Sequence, residues 1–215
     1  IKIDMPKLVY FGLQGRAQAI RYLLGAKDVQ FEDQHLEFAE WGPIKAANTY
    51  GEGAQLPVFI NDDGKVFVQS MAILKMLAFE HGYMPETAEQ EYEVEWLSST
   101  GVDIIEKPER YVLMKDEPTA EDLEKCISLL RNFITKVDKQ WSDGRAHAAG
   151  DKITHADFSI LALITSHYEN ASGKHEAIRN ATREMVEQCT NIARVMAPMR
   201  ELCAAQIASI PAGSI

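Results

Sequence analysis

The first third of the chain contains short apolar runs separated by polar turns. Lys7–Phe11 is mostly apolar and predicts a strand, and a weaker alternation over Phe31–Leu36 predicts a second strand. Gly12–Gly15 between them has the composition of a turn. Residues 16–25 predict a helix because their apolar positions recur at helical spacing, at Ala17, Ile20, Leu23 and Leu24.

A β-hairpin and a further helix are predicted next. Val58–Ile60 and Val66–Val68 flank a turn that contains Asp-Gly, which is typical of a hairpin. Gln69 and Ser70 precede an amphipathic run, so we expect Ser70 to cap a helix. The proline of Leu56-Pro57 cannot donate to a sheet, and a cis bond there would expose the backbone of Leu56.

The predicted order is therefore strand, helix, strand, irregular helix, then strand, strand, helix. This βαβ-ββα order is the thioredoxin-like arrangement, an α/β fold in which a mixed sheet carries helices on both faces. Gly82–Glu86 interrupts the helical pattern, so we expect one domain over 5–82 and another over 86–215.

The second domain is predicted to be all-helical. Thr87–Val112 favours a long helix that Pro108 kinks or ends, and Thr119 begins another helix. Thr154 and Asp157 form a capping box ahead of an apolar helix that we expect to be buried. Two or three more helices are predicted over 176–208.

Composition limits the function classes. A net charge of −10, with no basic stripe, disfavours a protein that binds nucleic acid or an anionic membrane. The three cysteines form no C-x-x-C pair and favour a reducing compartment, so we expect a cytoplasmic location. No apolar run has the length of a membrane span, and no signal peptide is recognised.

Several motifs together carry a resemblance to a known family. Lys7–Ala17 is similar to the first strand and first helix of cytosolic glutathione transferases, and Gly150–Phe158 resembles the segment that begins their sixth helix. Between these segments, Trp41, Lys45 and the pairs Leu56-Pro57 and Gln69-Ser70 follow in the same order. The chain looks most like the tyrosine-type classes, with sigma first and pi and mu next.

The resemblance implies a role for each of these residues in binding glutathione. Tyr10 stands where the family's thiol-activating tyrosine stands, and a phenol that donates to sulfur lowers the pKa of the glutathione thiol. Arg16 supports that site electrostatically. The γ-glutamyl end belongs to Gln69 and Ser70. The resemblance assigns the glycyl carboxylate to Trp41 and Lys45. It assigns the cysteinyl unit to the backbone of Leu56, with Gln55 and Pro57 beside it.

Two further groups follow from the resemblance. Asp103 matches an aspartate that reaches the γ-glutamyl ammonium across a dimer interface, so we expect a homodimer. The electrophile pocket is expected in the helical domain and on the first loop, and it is assigned to Phe11, Gly12, Leu13 and Tyr111. Glutathione is the expected co-substrate, and no metal is expected.

The function that this resemblance implies is a glutathione transferase. It would hold glutathione as a thiolate that attacks a hydrophobic electrophile. One alternative is a glutathione-dependent isomerase of the prostaglandin D synthase type. Another is a non-catalytic ligand-binding or crystallin-like protein with the same fold.

Overall fold

The computed structural model describes residues 5–108, 112, 115, 117–169 and 176–209. It contains a four-stranded mixed sheet with strand order β2-β1-β3-β4. The strands are β1 (Lys7–Phe11), β2 (Glu32–Leu36), β3 (Val58–Ile60) and β4 (Val66–Val68). β1 pairs parallel with β2 and antiparallel with β3, and β3 pairs antiparallel with β4. The predicted strands and hairpin are therefore confirmed.

The alternation of side chains along β1 gives the sheet two buried faces. Leu8 belongs to the main core, whereas Val9 packs with Leu36 and Val58 on the opposite face. Successive side chains of a strand point to opposite faces, so a strand covered on both sides is apolar throughout. This explains the apolar character of Lys7–Phe11.

Helices follow the predicted order along the chain. Those of the N-terminal part are α1 (Gln18–Ala26), α2 (Phe38–Ala46) and α3 (Ser70–His81). The others are α4 (Ala88–Pro108), α5 (Ala120–Gln140), α6 (His155–Ala162), α7 (Glu176–Gln188), α8 (Thr190–Leu202) and α9 (Ala204–Ala208). The predicted fold class, a thioredoxin-like part followed by a mostly helical part, is confirmed, while the domain bounds 5–82 and 86–215 stay a prediction.

Helix α6 lies at the centre of the helical part. Its capping box is formed as expected, since the Asp157 carboxylate accepts from the backbone N–H of Thr154 at 2.8 Å and from its hydroxyl at 3.0 Å. Phe158 and Leu161 are fully buried. The helix holds the two parts together because α1 packs against it, and the Tyr22 hydroxyl bonds to that of Thr165 at 2.8 Å.

Two local features differ from the predictions. The N-cap of α3 is Gln69, whose φ of 75° is left-handed, and Ser70 is the first residue of the helix. The chain turns at Gln69 before the helix begins, so Ser70 cannot cap it. The predicted continuous helix after Thr154 instead widens into a π-helical turn over Leu163–Tyr168, where the Thr165 hydroxyl donates to the Leu161 carbonyl.

Over the ranges given above, no helix combines the length and the apolar character needed to cross a bilayer.

Candidate active site

The end of β1 and the turn after it position Tyr10 and Arg16. The Tyr10 side chain is almost buried, and its hydroxyl oxygen accepts a hydrogen bond from the backbone N–H of Arg16 at 3.2 Å. Gly15 has a φ of 42°, and a Cβ added there would lie 2.6 Å from the Tyr10 hydroxyl. A glycine at this position therefore lets the turn approach the phenol closely.

A cavity of about 150 Å³ begins at this turn. Helices α1 and α3 form one side of it, and α4 and α6 form the other. Most of its wall is apolar, as is usual for a small-molecule site. Its polar, charged and glycine positions include Gly15, Arg16, Gln69, Ser70, Ser98, Gly101 and Glu106.

The start of α3 supplies the polar wall of the cavity. Gln69 and Ser70 both line it, and the first N–H groups of α3 have no partners within the helix. The positive end of the helix dipole lies here, so the wall suits a carboxylate. The left-handed backbone of Gln69 is costly for a residue other than glycine, by about 1 to 3 kcal/mol, and such conformations cluster at functional sites.

The structure thus brings four of the predicted site residues together. Arg16, Gln69 and Ser70 line one cavity, and the Tyr10 hydroxyl, which is not itself part of the lining, lies next to it through its bond from the Arg16 N–H. Tyr10 comes from β1 and Arg16 from the turn before α1, whereas Gln69 and Ser70 lie at the start of α3, more than fifty positions later in the chain.

A second group of predicted residues lies outside the cavity lining. Trp41 and Lys45 are four residues apart on α2, and Trp41 packs against the apolar cluster on the far face of the sheet. Gln55 is exposed, and Leu56 packs partly buried between the two clusters. The Leu56-Pro57 bond is cis, as predicted.

Three of the four predicted electrophile residues, Phe11, Gly12 and Leu13, lie outside the cavity lining. Phe11 stacks on Phe38 of α2, with ring centroids 4.4 Å apart, because it points to the opposite face of β1 from Tyr10. Gly12 and Leu13 are also absent from the lining. Tyr111 lies outside the described residues. This assignment stays a prediction, which the cavity does not support.

Asp103 also lies outside the cavity lining. Its side chain is 65% exposed and forms an i,i+4 ion pair with Lys107, with the nitrogen and oxygen 3.7 Å apart. Its neighbours Val102, Ile105 and Glu106 line the cavity from the other side of α4. A contact between Asp103 and a partner subunit stays a prediction.

Sequence reasoning missed two charged residues next to this site. Arg21 lies on the buried face of α1, and its guanidinium carbon is 6.0 Å from the centre of the Tyr10 ring, within the range of a cation–π interaction. Asp33 holds that guanidinium through two bonds of 2.8 and 3.2 Å. The available signal was a charged residue within the apolar run of α1.

Glu106 of α4 is the second missed residue. Its carboxylate lies 3.3 Å from the Arg16 guanidinium and lines the cavity. The two residues are 90 positions apart, so no local pattern indicates the pair. The ion pair connects α4 to the turn whose Arg16 N–H donates to the Tyr10 hydroxyl.

Comparison with known proteins identifies the family. Residues 6–78 match the family model described as glutathione S-transferase, N-terminal domain. A glutathione S-transferase class-mu 28 kDa isozyme from Schistosoma bovis is 32% identical over 90% of this chain and 95% of its own length. The hematopoietic prostaglandin D synthase of Gallus gallus is 32% identical over 71% of this chain and 74% of its own.

The fold agrees with solved structures of the same kind. The structure of the Onchocerca volvulus Pi-class glutathione S-transferase has a TM-score of 0.77 to this chain, with 24% identity and 97% of both chains covered. The match to the Schistosoma bovis isozyme covers 90% of the chain, and the likeness in fold covers 97%. The chain therefore belongs to the glutathione S-transferase family.

Proposed function

We propose that the protein is a glutathione transferase that holds glutathione as a thiolate and adds it to electrophilic small molecules. One observation carries the proposal: the Tyr10 hydroxyl is bonded by the amide of Arg16, and Arg16 lines a cavity whose polar wall is the start of α3. This arrangement offers a donor for sulfur beside a cavity that also contains a carboxylate site.

Tyr10 acts on the sulfur in this proposal. A free thiol has a pKa near 8.5 and is mostly protonated at neutral pH, whereas the thiolate is the nucleophile. A phenol that donates to sulfur favours the charged form and lowers the thiol pKa. Because the Tyr10 oxygen accepts from the Arg16 N–H, the phenol is polarised toward donation.

The start of α3 binds the γ-glutamyl end. Its carboxylate meets Ser70 and the N–H groups of the first helical turn, and Gln69 accepts from the ammonium or donates to the carboxylate. The resemblance assigns the glycyl carboxylate to Trp41 and Lys45. It assigns the cysteinyl unit to the backbone of Leu56, with Gln55 and Pro57 beside it.

The proposal includes a homodimer in the cytoplasm, most similar to the sigma class. Asp103 would reach the γ-glutamyl ammonium of the partner subunit, and its exposed position on α4 supports such a contact. Glutathione is the co-substrate, and the reaction as proposed uses no metal. Thiolate stabilisation and the positioning of both reactants supply the catalysis.

The experiment compares the parent protein with Tyr10→Phe in the conjugation of glutathione to 1-chloro-2,4-dinitrobenzene. A hydrogen bond to a charged group contributes about 1.5 to 3 kcal/mol, so kcat should fall by about 10- to 150-fold. The pKa of the bound thiol should rise in the pH profile, while KM for glutathione changes little.

Tyr22→Phe is the matched control. Tyr22 is a fully buried tyrosine of α1, but its hydroxyl bonds to Thr165 in the π-helical turn after α6, and neither residue lines the cavity. This variant should lose stability and keep its kcat. Equal activity of Tyr10→Phe and the parent at every pH would remove Tyr10 from the mechanism. Glutathione binding without turnover in the parent would favour a non-catalytic binding protein.

A second candidate function is a glutathione-dependent isomerase of the prostaglandin D synthase type. The 32% identity to the prostaglandin D synthase of Gallus gallus favours it. Both functions need the same thiolate, so Tyr10→Phe does not distinguish them. Turnover of a prostaglandin endoperoxide by the parent, with weak conjugation of general electrophiles, would support the isomerase.

A further inference from the structure

Glu106 gives the cavity a charge pattern that bears on its substrates. Among the described residues of the lining, Glu106 is the one carboxylate and Arg16 the one cation. Their nitrogen and oxygen are 3.3 Å apart, and the two side chains are 37% and 41% exposed. The positive charge of Arg16, next to Tyr10, is therefore paired with the negative charge of Glu106 within the same cavity.

The neighbouring positions of α4 leave room for an apolar molecule. A Cβ added at Gly101 would meet nothing within 4 Å, so the wall is open there. Next to it, the Ser98 side chain is buried, so among the described lining residues α4 presents no charged side chain other than Glu106.

We propose that Glu106 is a specificity-determining residue that makes the cavity select uncharged apolar electrophiles and reject anionic ones. The inference rests on the proposed transferase function. A carboxylate on the electrophile would lie near the Glu106 carboxylate on the α4 side of the cavity, opposite the α3 wall proposed for the glutathione carboxylate, and like charges at short range repel each other. The net charge of −10 adds to this repulsion.

The test uses two substrates that share one reacting ring, 4-chloro-3,5-dinitrobenzoate and its methyl ester. In both, the thiolate sulfur bonds to the ring carbon that carries chlorine, and chloride leaves with the bonding pair. The proton of the thiol passes to solvent. The two substrates differ in the charge of one substituent, so the effect of a variant on their ratio reports charge selection.

Glu106→Gln should raise kcat/KM for the benzoate, relative to the ester, by about tenfold compared with the parent. The control is Glu121→Gln, which removes the same charge from an exposed i,i+4 pair with Lys125 on α5. That variant should leave the ratio unchanged. If Glu106→Gln turns over the ester and leaves the ratio at the parent value, Glu106 does not select against anions, while the transferase function stands.

A binding measurement separates selection from chemistry. Calorimetry with glutathione-saturated protein compares the unreactive 3,5-dinitrobenzoate with its methyl ester, and Glu106→Gln should bind the benzoate about tenfold more tightly with little change for the ester. An unchanged preference would overturn the inference even if the variant had lost activity. No turnover of either chlorinated substrate by the parent would overturn the proposed function, and this inference with it.

Discussion

Replacing Asp157 by alanine removes a carboxylate that three buried donors share. One oxygen accepts from the Ala148 N–H at 2.8 Å, and the other accepts from the Thr154 N–H and hydroxyl at 2.8 and 3.0 Å. Asp157 is fully buried, and Thr154 is 3% exposed. The variant therefore leaves donors without acceptors in a place that water does not reach.

The size of the loss follows from this geometry. Each of the three buried donors left without a partner costs about 1 to 3 kcal/mol, so we expect Asp157→Ala to lower the free energy of unfolding by about 3 to 9 kcal/mol. Domains of this kind are stable by about 5 to 15 kcal/mol in total. Thr154→Ala removes only the capping hydroxyl and should cost about 1 to 2 kcal/mol.

Urea unfolding, followed by circular dichroism, measures both losses. The matched control is Asp122→Ala in the capping box of α5, where Asp122 accepts from the Thr119 N–H and hydroxyl at 3.0 and 2.8 Å. Asp122 also pairs with Lys115 at 2.8 Å, but Thr119 and Lys115 are exposed and the Asp122 side chain is 18% exposed. Water therefore replaces the lost bonds, and the loss should be much smaller. Similar losses for Asp157→Ala and Asp122→Ala would refute the argument that burial sets the cost.

Three further predictions concern the site and the thiols. Ser70→Ala should raise KM for glutathione by roughly tenfold and affect kcat less, in steady-state kinetics, because a bond to a charged group contributes about 1.5 to 3 kcal/mol. Arg21→Gln should raise the pKa of the bound thiol, and Asp33→Asn should lower it, measured by thiolate absorbance; shifts of the same sign would contradict the electrostatic argument. Burial raises the pKa of Cys126 to about 11 and that of Cys203 to about 12. Both thiols should therefore resist a thiol reagent at pH 8 until urea unfolds the protein, and rapid labelling of Cys126 or Cys203, as distinct from the partly buried Cys189, would contradict this.

Local features of the fold were predictable because their causes are local. Strand β1 and helix α1 follow from the spacing of apolar residues, and the hairpin follows from its Asp-Gly turn. The capping boxes at Thr119 and Thr154 join residues three apart, so the sequence alone contains both partners. Position along the chain also indicated Tyr10 and Ser70, since they match motifs of a known family.

The end of β1 shows where local reasoning fails. Tyr10 and Phe11 are adjacent in the motif, and both were assigned to the site. Successive side chains of the strand point to opposite faces. The Tyr10 hydroxyl therefore accepts from the Arg16 N–H next to the cavity, while Phe11 stacks on Phe38 of α2. Likewise, Ser70 has the composition of an N-cap, but the left-handed backbone of Gln69 moves the cap by one residue.

By itself, the sequence determined the order of strands and helices, the capping box of α6 and the family motifs, because each depends on residues close together in the chain. Only the tertiary structure decided that α4 and α6 close the cavity, that Arg21 lies beneath Tyr10, and that Glu106 meets Arg16. Such contacts join residues up to 90 positions apart. Their geometry depends on how whole elements pack, which no periodicity or motif in a single sequence specifies.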